Sequence, residues 1–270
     1  MDIFTLDHTC NELRLSLCSA LNKPISPYCT RTFEIFSYKV ENVSTVLLLL
    51  SLIVVVIRII YQIKKHYSAV GRKEFMLFFY YYLSFLILDI FLLHTKQPVP
   101  LNYILTAISL GLANTCIFIL LVCGLVSTAF VGGEFLYSDI FIRIISFLYF
   151  ILLSGVYYVG FQSQQSLLIF LLLIPLNGLW IFIYFVVQII KMKLMNAEIW
   201  AYGTLMISFI FYTISIIPFF SSSYLIVYLT DSYIDGIFFI HLFTFSAIMM
   251  IHKYWLSVCT SDIECAMVQI

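Results

Sequence analysis

An all-α polytopic membrane fold is predicted: a seven-transmembrane-helix bundle with a lumenal N-terminus and a cytosolic C-terminus. Three observations lead there. Hydrophobic residues fill 63% of the 270 positions and charged residues only 10%, outside the range of a water-soluble globule. The apolar residues gather into runs about 20 residues long, the length that crosses a bilayer as a helix. When those runs alternate across a membrane, lysine and arginine collect on one side, as they do on the cytosolic face of membrane proteins.

The elements follow in order. The first 42 residues are polar and mixed in sign, without the basic start and oily core of a signal peptide. The first membrane helix is therefore expected to act as the internal insertion signal. Spans are expected at 43–63, 75–93, 104–126, 140–160, 167–189, 199–219 and 233–251. This divides the chain into a lumenal, cysteine-containing tail (1–42), a membrane domain (43–251) and a short cytosolic tail (252–270). Only Gln162 to Ser166 separate the fourth and fifth spans, which predicts a tight antiparallel hairpin. Pro175 and Pro218 lie in or at the end of spans, where neighbouring helices can resatisfy a freed carbonyl.

Charge sets the expected orientation. Lys64, Lys65, Arg72 and Lys73 crowd the first loop, Lys191 and Lys193 the fifth-to-sixth loop, and Lys253 follows the last span. The short loops of the opposite side offer only Lys96. The N-terminal tail holds Arg14, Lys23, Arg31 and Lys39, but five acidic residues accompany them, so it can be translocated. Facing an oxidising compartment, Cys10, Cys18 and Cys29 can form one disulfide and leave one thiol over. Asn42 opens an N-V-S sequon, but its position against the membrane disfavours glycosylation.

Within the spans, Asp89 is the most informative group. A central aspartate costs about 2.5–3.5 kcal/mol on insertion scales, and its short side chain cannot reach the interface. It is expected to face the bundle interior or the lumenal edge, near His94, Asp235 or His241, as a hydrogen-bonded clasp between helices or, alternatively, a proton or ligand site. Gly111, Ala113, Asn114 and Cys116 give the third span a small, partly polar face suited to close helix contact. The 26 phenylalanines and 19 tyrosines are expected to be mostly lipid-facing or interfacial.

Several function classes fall away. Net charge is zero and no long basic tract exists, so nucleic acid is not an expected partner. The seven cysteines show no C-x-x-C pairing, which argues against a zinc or iron–sulfur site. There is no H-E-x-x-H, nucleophile elbow or glycine-rich phosphate loop, and no catalytic residue, cofactor or metal is expected. A transporter would need a polar path joining Asp89, Asn114, Asn177 and Asp235. A small-molecule receptor would need a lumenal pocket under the cysteine tail.

The first loop, Tyr61-Gln-Ile-Lys-Lys-His-Tyr-Ser-Ala-Val-Gly-Arg-Lys-Glu-Phe75, closely resembles that of the fungal chitin synthase export chaperones. The likeness runs along nearly the whole chain. It includes Leu17-Cys18-Ser19, Cys29 with Arg31, Gly111-Leu112-Ala113, and Trp200 with Gly203. It closes on Tyr233-Ile-Asp235-Gly236-Ile-Phe238-Phe239, Met249-Met250, Lys253 and Trp255. The resemblance implies a short member of that family: a non-enzymatic, multi-pass protein of the endoplasmic reticulum membrane. It would bind a chitin synthase, itself an integral membrane glycosyltransferase, and enable its folding and export. A lasting subunit of the synthase complex is the alternative. The chain ends soon after Trp255 with Ser261-Asp-Ile-Glu264, without the longer acidic tail expected of the family. Tyr67, Gly71, Arg72, Glu74, Asp89, Gly111, Asn114, Asp235, Gly236, Lys253 and Trp255 are the candidate structural or client-contact residues. Membrane lipid is the other expected partner, and the sequence leaves oligomeric state open.

Overall fold

A computed structural model describes residues 10, 15–21, 33–35, 38–40, 42–65, 71–94, 99–129, 138–194, 198–220, 226, 228–231 and 233–268. The tail supplies α1 (Ser16–Ala20) and an antiparallel hairpin of β1 (Phe33–Ile35) and β2 (Tyr38–Val40), in register Phe33 with Val40. The membrane body comprises α2 (Val43–Lys65), α3 (Arg72–His94), α4 (Val99–Ala129) and α5 (Ser138–Gln162). It continues with α6 (Ser166–Leu173), α7 (Pro175–Leu194), α8 (Ile199–Phe220) and α9 (Gly236–Val268). Counting α6 and α7 as one crossing, seven helices among the described residues are long and apolar enough to span a bilayer. The chain is a multi-pass membrane protein; the last expected span begins at 233, before α9 starts at Gly236.

Local chemistry explains where the helices depart from the predicted spans. The fifth crossing breaks at Ile174, because Pro175 brings no N–H and its ring crowds the preceding turn. The last helix runs on to Val268, well past the predicted end at 251. No glycine or proline interrupts residues 237–268, so nothing stops it at the expected membrane edge. The α5–α6 hairpin is as tight as its five-residue spacing suggests. Gln164 takes the left-handed conformation (φ 55°), and its N–H reaches Phe161 O at 3.2 Å while Gln165 N–H reaches Gly160 O at 3.0 Å. That pair of bonds is a Schellman-type helix end.

A set of aromatic side chains turns inward, while others such as Phe147 and Phe182 lie exposed on the outside of the bundle. Tyr157, Phe78, Phe79 and Phe161 are among the largest fully buried side chains. Each ring buries far more surface than an aliphatic group and stacks on other rings; Phe79 meets Phe75 edge-on at 5.2 Å, for example. The main core joins α2, α3, α4, α7, α8 and α9. A second core seats the tail on the bundle: Cys10, Leu17, Cys18 and Leu21 cluster with Ala107, Tyr157, Phe161 and Ile169. The tail therefore covers the end of the bundle where α4 and α6 begin and α5 finishes.

Candidate functional site

At the tail end, Asp235 gathers three donors. Its Oδ1 accepts from the Phe238 N–H at 3.0 Å, capping α9, and from the Thr45 hydroxyl at 3.0 Å. Its Oδ2 accepts from Asn42 Nδ2 at 2.9 Å. The Ser44 hydroxyl donates to Tyr233 O at 2.8 Å, so the start of α2 is tied to the start of α9. Asp235 precedes the last span; burial pushes its carboxyl above the ordinary range, and the bonds from Phe238 and Thr45 pull it back. Asn42, the sequon residue, is only 3% exposed. Its amide is committed to this clasp.

Deeper in the bundle, the Pro175 break organises a polar knot. Asn177 Nδ2 donates to Asn114 Oδ1 at 2.5 Å and to Leu173 O at 2.8 Å. Asn114 Nδ2 in turn donates to Tyr157 Oη at 2.7 Å and Leu172 O at 3.2 Å. Side-chain amides thus cover carbonyls at the helix break, as backbone in lipid requires. Asp89 finds His241 of the three partners expected for it, with Nε2 and Oδ2 2.9 Å apart. The side chain of His94 lies outside the described residues. Asp89, His241 and Asn177 all line a cavity of about 230 Å³ whose tail-side wall includes Leu15 and Leu17.

The opposite end carries the basic first loop. The Arg72 guanidinium donates to Lys64 O at 3.4 Å, meeting a carbonyl at the negative end of α2. Lys65 Nζ lies 4.6 Å from the Tyr61 ring centroid. Gly71 takes φ +74°, which glycine adopts without a Cβ clash, and its carbonyl accepts from Phe75 N–H at 3.0 Å to open α3. Glu74 occupies the first turn of α3, where a carboxylate suits the positive helix end. Trp255 stacks on Phe75 at 5.1 Å, fastening the first turn of α3 to α9.

The remaining candidates divide between interior and surface. Gly111 is buried against Ser154, whose Oγ would collide with any Cβ placed there. Gly111 and Asn114, candidates for meeting a partner, are thus engaged within the bundle. Gly236 is buried in the first turn of α9, and Lys253 is exposed. Cys10 and Cys18 form a disulfide; Cys29 and Tyr67 lie outside the described residues. Among the described residues no cluster of His, Cys, Asp or Glu could hold a metal ion. Asp89, Asn114 with Asn177, and Asp235 fall into three separate hydrogen-bonded groups among the described residues. Two side-chain pairs, one buried and one half-buried, went unforeseen. They are Tyr254 Oη donating to Gln188 Oε1 at 2.8 Å, and Trp180 Nε1 donating to Tyr149 Oη at 3.0 Å. Gln188, polar near the end of its span, was the signal for the first; the second has none in sequence.

No solved structure matches the chain. Among curated proteins, it is 28% identical to a chitin synthase export chaperone of Coccidioides immitis, over 98% of this chain and 85% of that one. The protein of the same description from Candida albicans is 23% identical, over 98% of this chain and 91% of its own. That from Cryptococcus neoformans is 26% identical, over 96% and 75%. A family model described as chitin synthase export chaperone matches residues 3–269. With that match spanning tail, bundle and last helix alike, the chain belongs to the chitin synthase export chaperone family.

Proposed function

We propose that this protein is a membrane-embedded chaperone that binds a chitin synthase in the endoplasmic reticulum and enables its folding and export, supporting cell-wall chitin synthesis. The family match over residues 3–269 carries the reading. A many-span client exposes polar and small-residue helix faces before its own bundle closes, and such groups are costly in lipid. A bundle whose own polar groups are tied internally, as Asp89, Asn114 and Asp235 are here, can cover those faces without rearranging. The basic end, with exposed Lys253, suits acidic client segments or anionic headgroups. That placement assigns the basic end to the cytosol and the disulfide-bonded tail to the lumen.

Deleting the gene and imaging each chitin synthase tests this. Retention of one synthase in the endoplasmic reticulum, with co-purification of the two proteins from detergent, is the expected result. Normal export of every synthase with no association would overturn it. Following both proteins to the plasma membrane separates a transient chaperone, which stays behind, from a lasting subunit, which travels with the client.

A further inference from the structure

Asp89 of α3 and His241 of α9 meet in the half of the bundle nearer the tail, with side chains 15% and 9% exposed. Both stand on the wall of the cavity between these helices. Ionisable groups within membrane spans are costly, and where they persist they pair with one another and mark proton or ion sites. An ionised carboxylate only accepts hydrogen bonds, so His241 Nε2, 2.9 Å from Asp89 Oδ2, is the ring nitrogen that carries the hydrogen. Nδ1 is then the atom that takes up a second proton and makes the ring an imidazolium. At their other ends α3 and α9 are joined by the stack of Trp255 on Phe75, two rings that do not titrate.

The charges around this pair are unevenly matched. Asp235, at the start of α9, has three donors of its own. Burial raises its carboxyl; the Phe238 and Thr45 bonds, and then the charge of His241, lower it. His241 thus lies in the field of two carboxylates, one on each helix. Asp89, by contrast, has His241 as its hydrogen-bonding partner among the described residues. Among those residues no lysine or arginine lines the cavity. Tyr82, Cys116, Tyr184 and Tyr212 belong to its wall from α3, α4, α7 and α8, and phenols and thiols stay neutral where histidine changes charge, about pH 5 to 8. From α2 the cluster receives only Asn42, just before the helix, and Thr45, neither of which ionises. A proton on His241 is therefore the one positive charge that these groups can acquire.

We propose that His241 and Asp89 form a proton-binding site, and that the proton it holds fastens α3 to α9 at the tail end of the bundle. With the ring protonated and Asp89 ionised, the bond between the helices is charge-assisted, roughly twice as strong as its neutral counterpart. The fastening is fullest towards the acid side of the histidine range and fades as pH rises through it. Loss of the proton loosens α3 from α9 at that end alone, because the Phe75–Trp255 stack holds the other end at any pH in this range. The cavity that both helices line is thereby coupled to the acidity of the compartment facing the tail. The site goes beyond the chaperone reading and needs no client.

The test is a double-mutant cycle on the whole protein in detergent, with Asp89→Asn, His241→Gln and the pair, read by thermal unfolding near either end of the histidine range. Other histidines and carboxylates titrate in all four proteins and cancel. The coupling between the two side chains should be about twofold larger at the acid end than at the alkaline end. Equal coupling at both ends, or more at the alkaline end, would overturn the proton site and leave a plain hydrogen bond. Asp89→Asn keeps the shape and an accepting oxygen while removing the charge, so it decides the matter if His241→Gln or the pair fails to fold. Its deficit in melting temperature against wild type should shrink as pH rises across the range; a constant or growing deficit would overturn the proposal.

Discussion

Asp235 serves three donors with two oxygens, and its neighbour Asn42 shows how finely that set is matched. Asn42 Oδ1 is buried without a hydrogen-bond partner among the described residues, while its Nδ2 donates to the carboxylate. In Asp235→Asn, the new amide can donate to Asn42 once the Asn42 amide flips, and the other oxygen still caps α9. That variant should melt within about 1 kcal/mol of wild type. Asp235→Ala loses the cap and strands Asn42 and Thr45, and should cost about 2–4 kcal/mol; thermal unfolding in detergent measures both. Gly71 poses a backbone question instead. A Cβ there would lie 3.8 Å from Trp255 Nε1, an ordinary contact, so Gly71→Ala should cost only the left-handed strain, about 1–2 kcal/mol. Gly71→Asn should recover most of it, since asparagine tolerates that conformation. Equal losses in the two variants would place the cost in packing with Trp255. Both residues stood out in the sequence, but Asp235 and Asn42 are separated by 193 positions, and nothing in composition pairs them.

Two helix contacts carry the element scale. On α4, Gly111 lets the backbone approach Ser154 of α5, a small-residue contact of the kind that brings membrane helices together. Gly111→Ala should destabilise the bundle by about 1–3 kcal/mol through overpacking. The Ser154 hydroxyl is buried without a hydrogen-bond partner among the described residues. Ser154→Ala should thus be near neutral alone and should absorb part of the Gly111→Ala cost, a coupling that a double-mutant cycle reads. The second contact is the knot at the α6–α7 break. Asn114→Leu removes the partner of Tyr157, Asn177 and the Leu172 carbonyl. A loss of about 1–3 kcal/mol is expected, given the modest worth of single interhelical bonds in lipid. The polar face of α4 was legible from Gly111, Ala113 and Asn114. That it meets this chain's own α5 and α7, and not a partner protein, depends on helix rotations that a one-dimensional pattern does not contain.

At the scale of the whole molecule, the disulfide-bonded tail and the basic loop mark the two ends of the bundle. Closing the Cys10–Cys18 loop, a separation of 8 residues, contributes about 2–3 kcal/mol on the chain-entropy account. Replacing both cysteines with serine should loosen the tail first, seen as faster proteolysis around α1 while the spans stay folded. At the other end, Arg72→Glu leaves Lys64, Lys65 and Lys73 to anchor the loop. Topology, mapped by cysteine accessibility, should be unchanged. Loss of synthase export in that variant would assign the loop a role beyond anchoring; normal export would reduce it to an anchor.

Hydropathy determined, unaided, the number of spans, because crossing a bilayer demands a long apolar run in each helix regardless of its neighbours. Charge placement made the two ends distinct for the same local reason, and ordered residue matches made the family recognisable. Tertiary structure alone decided which side chains meet. It chose His241 for Asp89, Asn42 and Thr45 for Asp235, and Cys10 for Cys18, and it turned many of the aromatic rings inward. It also opened the cavity beneath the tail. Partner choice depends on how each helix is rotated and tilted against others distant in sequence, and in lipid, where apolar residues are at home on either face, hydrophobicity cannot set that rotation.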